Sequence, residues 1–456
     1  MKPLFLGAVL AAAPATGWAQ ALGGMAMPLP VPPAPPAPAP SPPAPTRSDA
    51  PAADPMAGMP GMAGMAPMPT MGDGISTAGS GTARLPAHDR MAGVHGMAGD
   101  WTLMMHGYLW GSWDHQGGRR GADEAFVQSM AMLEASRPIA DGVDLTLRGM
   151  VSADPLMGKR GYPDLFATGE TAHGLALVDR QHPHDLFMEL SGRLDAARGP
   201  GKAFLYAGLP AEPALGPAAF MHRGSARFDP EAPITHHWFD STHIAWGVVT
   251  GGYQAPHWQV EASGFRGREP GENRYNIETP RLDSWSVRGT WMPSASFAAE
   301  VSYGSLHSPE VLHPTENERR LIASASYSAG GLDVTVAWSR KQVVGDRVLP
   351  AWLAEATWAV TPRHAMFGRF ERLRNDELFE RDEELGLAPP LAGEAFTVAK
   401  FTAGYAYSLP LAPTLAVALG AAASAYAKPA ALDAAYGRHP HSLTLFAKLM
   451  FGRTGA

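Results

Sequence analysis

The sequence predicts an all-β protein: a transmembrane antiparallel β-barrel of about sixteen strands behind a disordered Pro/Met-rich extension. Three observations predict it. Between Trp101 and Phe451, short stretches of alternating apolar and polar residues succeed one another. The connections between them alternate short and long. An export-type leader stands in front, and the 456 residues contain no cysteine. A closed barrel in lipid needs this design, because successive side chains face hydrocarbon and lumen, and one rim carries tight turns while the other carries loops.

Residues 1–21 read as a secretory signal. Lys2 provides the positive start, Leu4 to Ala13 the apolar stretch, and Gly17-Trp18-Ala19 or Ala19-Gln20-Ala21 a small-x-small cleavage site. Residues 22–100 differ in composition and read as a disordered periplasmic extension. Its Pro/Ala tract at 30–45 favours extended polyproline II and packs no core. Met56, Met59, Met62, Met65, Met68 and Met71 then recur at every third position. Three residues per polyproline turn would align these thioethers along one edge, roughly 9 Å apart.

The barrel, residues 101–456, is predicted from strands at 101–113, 124–137, 142–154, 185–195, 202–209, 238–254, 258–265 and 283–291. The second half supplies 296–307, 320–327, 333–340, 353–360, 364–371, 396–407, 414–425 and 443–451. In these strands Val143, Leu145, Leu147 and Val151 oppose Asp144, Thr146, Arg148 and Ser152; Trp285, Val287 and Trp291 oppose Ser284, Ser286, Arg288 and Thr290. Trp and Tyr recur near strand ends, as interfacial belts require, and the chain holds 12 Trp. The even strand number places both termini in the periplasm of a Gram-negative cell, with the barrel in the outer membrane.

Net charge is −7 and only 17% of residues are charged, so no basic excess points to nucleic acid. The missing cysteine excludes disulfides and thiolate metal sites. No Walker loop, G-x-S-x-G, GxGxxG or H-E-x-x-H motif occurs, so no catalytic residue is assigned and no enzyme is expected.

Candidate metal ligands fall into groups. Beyond the regular methionines come His88, Met91, His95, Met97, Met104, Met105 and His106. Thioethers select Cu(I), and imidazole binds Cu(I), Cu(II) and Zn(II). His182-Pro183-His184-Asp185 offers an HxH pair stiffened by proline, with Asp185 as a ligand or as the acceptor orienting a ring. His222, His236, His237, Asp240 and His243 flank another long loop, which would meet His182 and His184 if it folded inward. His439 and His441 repeat the H-P-H pattern. Arg148, Glu189, Arg193, Glu261, Arg288, Glu300 and Glu355 are predicted to line the pore.

Two resemblances follow. Residues 161–187, from Gly161-Tyr162-Pro163-Asp164-Leu165-Phe166 through Thr168-Gly169-Glu170-Thr171 to Gln181-His182-Pro183-His184-Asp185-Leu186-Phe187, resemble a family of uncharacterised bacterial outer-membrane proteins. The layout of signal, Met-rich segment and barrel resembles the copper-resistance outer-membrane proteins, on Met56 to Met71 and His88 to Met97. That resemblance implies copper sequestration or export, with Cu(I) or Cu(II) as cargo and no required cofactor. The alternatives are a passive porin for small solutes and a surface-loop adhesin or receptor. Porin-like barrels are often trimers, and a homotrimer is expected by that analogy. The last strand, residues 443–451, resembles the C-terminal targeting strand of outer-membrane barrels.

Overall fold

The computed structural model describes residues 76–89, 93–386 and 391–452. Sixteen antiparallel strands close into one barrel. They are β1 (Trp101–Gln116), β2 (Asp123–Ala140), β3 (Val143–Val151), β4 (Phe187–Arg198), β5 (Gly201–Gly208), β6 (Val248–Ala255), β7 (Trp258–Phe265) and β8 (Ser284–Ser294). β9 (Phe297–His307), β10 (Asn317–Ala329), β11 (Leu332–Val343), β12 (Val348–Ala359), β13 (His364–Asn375), β14 (Phe396–Ala412), β15 (Leu415–Ala427) and β16 (His441–Phe451) complete it. Each pairs with its neighbour, and β16 closes on β1 with Phe451 opposite Gly107 and Ser442 opposite Gln116. Closure leaves no free sheet edge, which lipid demands.

The two-residue period sorts side chains by face. Val127, Leu133, Val260, Trp285, Trp291, Val301, Trp352 and Phe401 stand exposed on the outer wall. Their inward neighbours Gln259, Glu261, Ser286, Arg288 and Thr290 are buried. A continuous apolar exterior around a polar interior fits hydrocarbon, not water. One rim carries the tight turns 141–142, 199–200, 256–257, 295–296, 330–331, 360–363 and 413–414. The opposite rim carries the loops.

The lumen is filled by its own chain. The loop 152–186 enters as a hairpin, Tyr162–Ala172 against Leu175–Gln181, whose first strand is buried along its whole length. The loop 209–247 lies inside the barrel almost entirely. Trp238, fully buried, donates its indole N–H to the Leu349 carbonyl at 3.1 Å and ties this loop to β12.

Three expectations are corrected. The alternation predicts one strand over 238–254, but β6 starts at Val248 and His236–Phe239 form a single helical turn. Trp238, Ile244 and Trp246 mimic lipid-facing positions, yet all three are buried in the lumen. The long connection expected before residue 353 shrinks to 344–347, because β12 starts at Val348 and pairs through Pro350 with Arg340. The extension expected to reach residue 100 does not. Ser76–Ala78 and Arg84–Pro86 form a hairpin inside the turn-rim mouth. Its Gly81 and Thr82 carbonyls accept bonds from Arg148 and Gln259 at 3.2 and 2.9 Å, and its Ser80 hydroxyl accepts the Ala219 N–H at 2.7 Å. Small residues let it fit: Gly81 has φ +52°, and a Cβ there would sit 2.8 Å from that of Glu212. Val94–Ala98 then pairs with the start of β1. Residues 22–75 of the expected extension lie outside the described residues.

Candidate metal centre

Two inward loops bring five imidazoles together at mid-lumen. His182 and His184 leave the hairpin of loop 152–186 just before β4. His236 and His237 sit on the helical turn of loop 209–247, and His243 ends the following 3-10 turn. Ring centroids lie 5.7 Å apart for His182–His236, 5.5 Å for His182–His237 and 5.3 Å for His236–His237. His243 continues the cluster at 5.1 Å from His236 and 5.5 Å from His184.

Each ring is held from behind by an acceptor. His184 Nδ1 is 2.8 Å from Asp154, His236 Nδ1 2.8 Å from Asp240, and His237 Nδ1 2.9 Å from Glu269. His182 Nδ1 faces Glu170 and the Pro183 carbonyl, both at 3.3 Å, and His243 Nδ1 faces the Asp240 carbonyl at 2.7 Å. A carbonyl or an ionised carboxylate only accepts, so His182 and His243, which meet carbonyls, and His236, which meets Asp240, carry the proton on Nδ1 and a lone pair on Nε2. Among the described residues, all five Nε2 atoms are buried and lack a hydrogen-bond partner. Burial also holds His182, His236, His237 and His243 below the ordinary imidazole value, so they are neutral at neutral pH. A neutral ring anchored through Nδ1 with Nε2 free is the form that ligates metal.

His182, His236 and His237 offer ligand atoms all within 4.8 Å of one another. Metal–nitrogen bonds of about 2.0–2.1 Å put tetrahedral ligands about 3.4 Å apart, so the rings must draw together by roughly 1 Å. Three imidazoles with an open fourth position suit Zn(II), Co(II) or Cu(II).

Backbone geometry serves the cluster. Asp240 accepts from Arg223, the Phe220 N–H and His236, and Arg223 holds its carboxyl well below the usual range even though burial opposes this. Thr235, at the head of the turn, donates its N–H and hydroxyl to Glu371 at 3.0 and 2.8 Å. Glu170 sits in the left-handed region at φ 62°, a conformation non-glycine residues rarely hold away from functional sites. Next to it, a Cβ on Gly169 would lie 2.4–2.6 Å from the His237 ring, so only glycine leaves room for that imidazole.

The sequence-predicted residues are placed as follows. Asp185 neither touches a ring nor orients one: it pairs with Arg274 at 3.4 Å, and Asp154 and Glu170 take the orienting role. His88 is exposed at the turn rim, against Ser296 and the Ser328 carbonyl. His95 and Met97 are exposed on the strand beside β1. His439, in the last loop, and His441, the first residue of β16, are exposed. Met56, Met59, Met62, Met65, Met68, Met71 and Met91 lie outside the described residues.

The seven charged lumen residues are mostly paired. Arg148 contacts Glu134 at 2.7 Å and Glu189 at 3.6 Å, and Arg193 contacts Asp195 at 2.8 Å. Arg148 and Arg193 border a cavity of about 220 Å³ near the turn rim. Arg288 pairs with Glu261 at 2.9 Å, with Glu300 one strand on, opposite Thr290. Glu355 bridges Arg223 and Arg369 at 2.6 and 3.1 Å.

No protein-family model and no curated protein matches the chain. Solved structures do. OmpF of Salmonella typhi, in complex with daunomycin, shares 8% identity over 78% of this chain and 100% of its own, with a TM-score of 0.50. OprB of Pseudomonas putida, at high pH, shares 13% over 77% of this chain and 93% of its own, with a TM-score of 0.47. An anion-selective porin from Comamonas acidovorans shares 10% over 77% and 100%, with a TM-score of 0.44. The likeness is one of fold, and in fold this chain is a porin-type β-barrel.

Proposed function

We propose that this protein is a porin-type channel of the outer membrane that admits small ionic solutes and binds transition-metal ions at the histidine chamber. One observation supports the metal reading: five buried imidazoles are held through Nδ1 and their Nε2 atoms have no hydrogen-bond partner among the described residues. Leaving such groups unsatisfied costs about 1–3 kcal/mol each, and a metal ion satisfies several at once. Copper sequestration or export is one form of this activity. In this reading the turn rim, and with it both chain termini, faces the periplasm.

A second reading, unselective diffusion of small solutes, draws on the porin-type fold and the cavity at the turn rim. Calorimetric titration of the purified barrel with Zn(II) separates the two. The metal reading expects about one tight site, weakened more than about 100-fold in the His236→Gln/His237→Gln variant. Planar-bilayer recording gives the complementary readout. Zn(II) should alter conductance of the native protein and not of that variant. Conductance indifferent to Zn(II), with no heat of binding, would leave only the diffusion reading.

A further inference from the structure

Beside the histidine chamber, the inner wall departs from the polar lining a barrel lumen normally carries. Met104 on β1, Met130 and Met132 on β2, Met150 on β3 and Met188 on β4 all point inward and are buried. They pack as one cluster with Ile244, and Tyr108 and, from loop 209–247, Met221 pack against it. The strand register builds it: His106 lies opposite Met132, and Met132 lies opposite Met150. The thioethers and one imidazole therefore form a row across three adjacent strands, extended by Met188 at the irregularity between β3 and β4.

Methionine is also a flexible gap filler, and packing alone would account for thioethers in a void. The histidines argue for more. His222, next to Met221, is buried with both ring nitrogens unpartnered, and His106 is buried with Nε2 unpartnered. Their ring centroids are 6.0 Å apart. A purely apolar filler has no need of two buried imidazoles with three ring nitrogens unpartnered among the described residues. Of the neighbouring hard donors, Glu134 and Glu189 are engaged by Arg148 and Asp154 by His184, while the amide oxygen of Gln128, two residues from Met130, is buried without a partner among the described residues. Soft donors dominate the set, thioether sulfur and imidazole nitrogen, and such a set favours a monovalent d¹⁰ ion over a divalent one.

We propose that this methionine–histidine belt is a binding site for Cu(I) or Ag(I), distinct from the chamber beside it. The proposal deepens the metal-handling reading and rests on it for its biological sense, but its ligands are different residues. The two sites accept ions of different hardness.

The test uses the full-length barrel and two probe ions. Ag(I) binding is measured by competition, and Co(II) binding by its absorption spectrum. The Met132→Leu/Met150→Leu/Met188→Leu variant keeps side-chain volume. It should lose one equivalent of Ag(I), or at least tenfold in affinity, with Co(II) binding unchanged. The His236→Gln/His237→Gln variant should do the reverse. The N-terminal methionines are common to all proteins compared and cancel. Unchanged Ag(I) stoichiometry and affinity in the belt variant would overturn the proposal while leaving the chamber untouched. Loss of Co(II) binding nowhere would instead overturn the chamber reading. Should the triple variant fail to fold, His222→Phe alone is the second probe: it must weaken Ag(I) at least tenfold, and an unchanged value counts against the belt.

Discussion

Two sectors of the lumen are built on opposite rules. Along β10 to β14, every large buried cation has an anion. Arg320 and Lys341 share Glu318 at 2.8 and 3.0 Å, Arg369 pairs with Asp229 and Glu355 at 3.1 Å, and Lys400 lies between Asp164 and Glu231 at 2.7 and 2.5 Å. Along β1 to β4 and the loops facing them, methionines cluster and imidazole nitrogens are buried without a hydrogen-bond partner among the described residues. In the first sector opposite charges pair and hold the inward loops to the wall. In the proposed reading the second has metal affinity to spare. The difference teaches where to look for function in a filled barrel: not among its charges, which satisfy one another, but among its uncharged donors.

The largest expected effect breaks the first sector. Glu355→Ala removes the anion shared by two buried guanidiniums, leaving Arg223 only Asp240 and Arg369 only Asp229, and should destabilise the barrel by about 3 kcal/mol in urea unfolding. Met132→Leu, its counterpart in the second sector, should cost less than about 1.5 kcal/mol. Equal losses would erase the distinction between the sectors.

Next come substitutions behind the chamber. Asp240→Asn removes the anion that orients His236, and should lower Zn(II) affinity about 10–100-fold by calorimetry. Gly169→Ala should displace the His237 ring and lower affinity without removing any ligand. Asp185→Asn should leave Zn(II) binding unchanged, since Asp185 serves Arg274. A large effect there would restore the HxHD motif as the ligand set.

The smallest effect lies on the loop rim, away from both sectors. His313 Nε2 meets Glu380 at 2.8 Å, and that hydrogen bond raises His313 to about 9. The folded value lies above the free value near 6.5. The clasp between loop 308–316 and the Glu380–Glu384 helix is therefore fully present below pH 6.5 and lost as pH rises through about 9. NMR titration should find the His313 midpoint near 9, and Glu380→Gln should return it toward 6.5.

Much of the fold was legible because the barrel is a local code. Alternation in residues 283–291 or 333–340 assigns each side chain to lipid or lumen without knowledge of any partner strand. The code fails where chain enters the lumen. Trp246 and Ile244 are as apolar as any lipid-facing residue, and only the filled interior makes them core. The site was half legible. His182, His184, His236, His237 and His243 stand out as types, but Asp154, Glu170 and Glu269 are distant in sequence, and only loop packing brings them behind the rings. The belt did leave a trace: Met104, Met130, Met132 and Met150 all occupy inward positions of the two-residue period.

The central assertion is that orphaned imidazole lone pairs inside the barrel exist to hold a metal ion. Diffraction from crystals grown with Zn(II), recorded on both sides of the zinc edge, tests it most directly. The account predicts an anomalous peak within bonding distance of the Nε2 atoms of His182, His236 and His237. An empty chamber, with zinc only on exposed histidines such as His95 or His439, would contradict it.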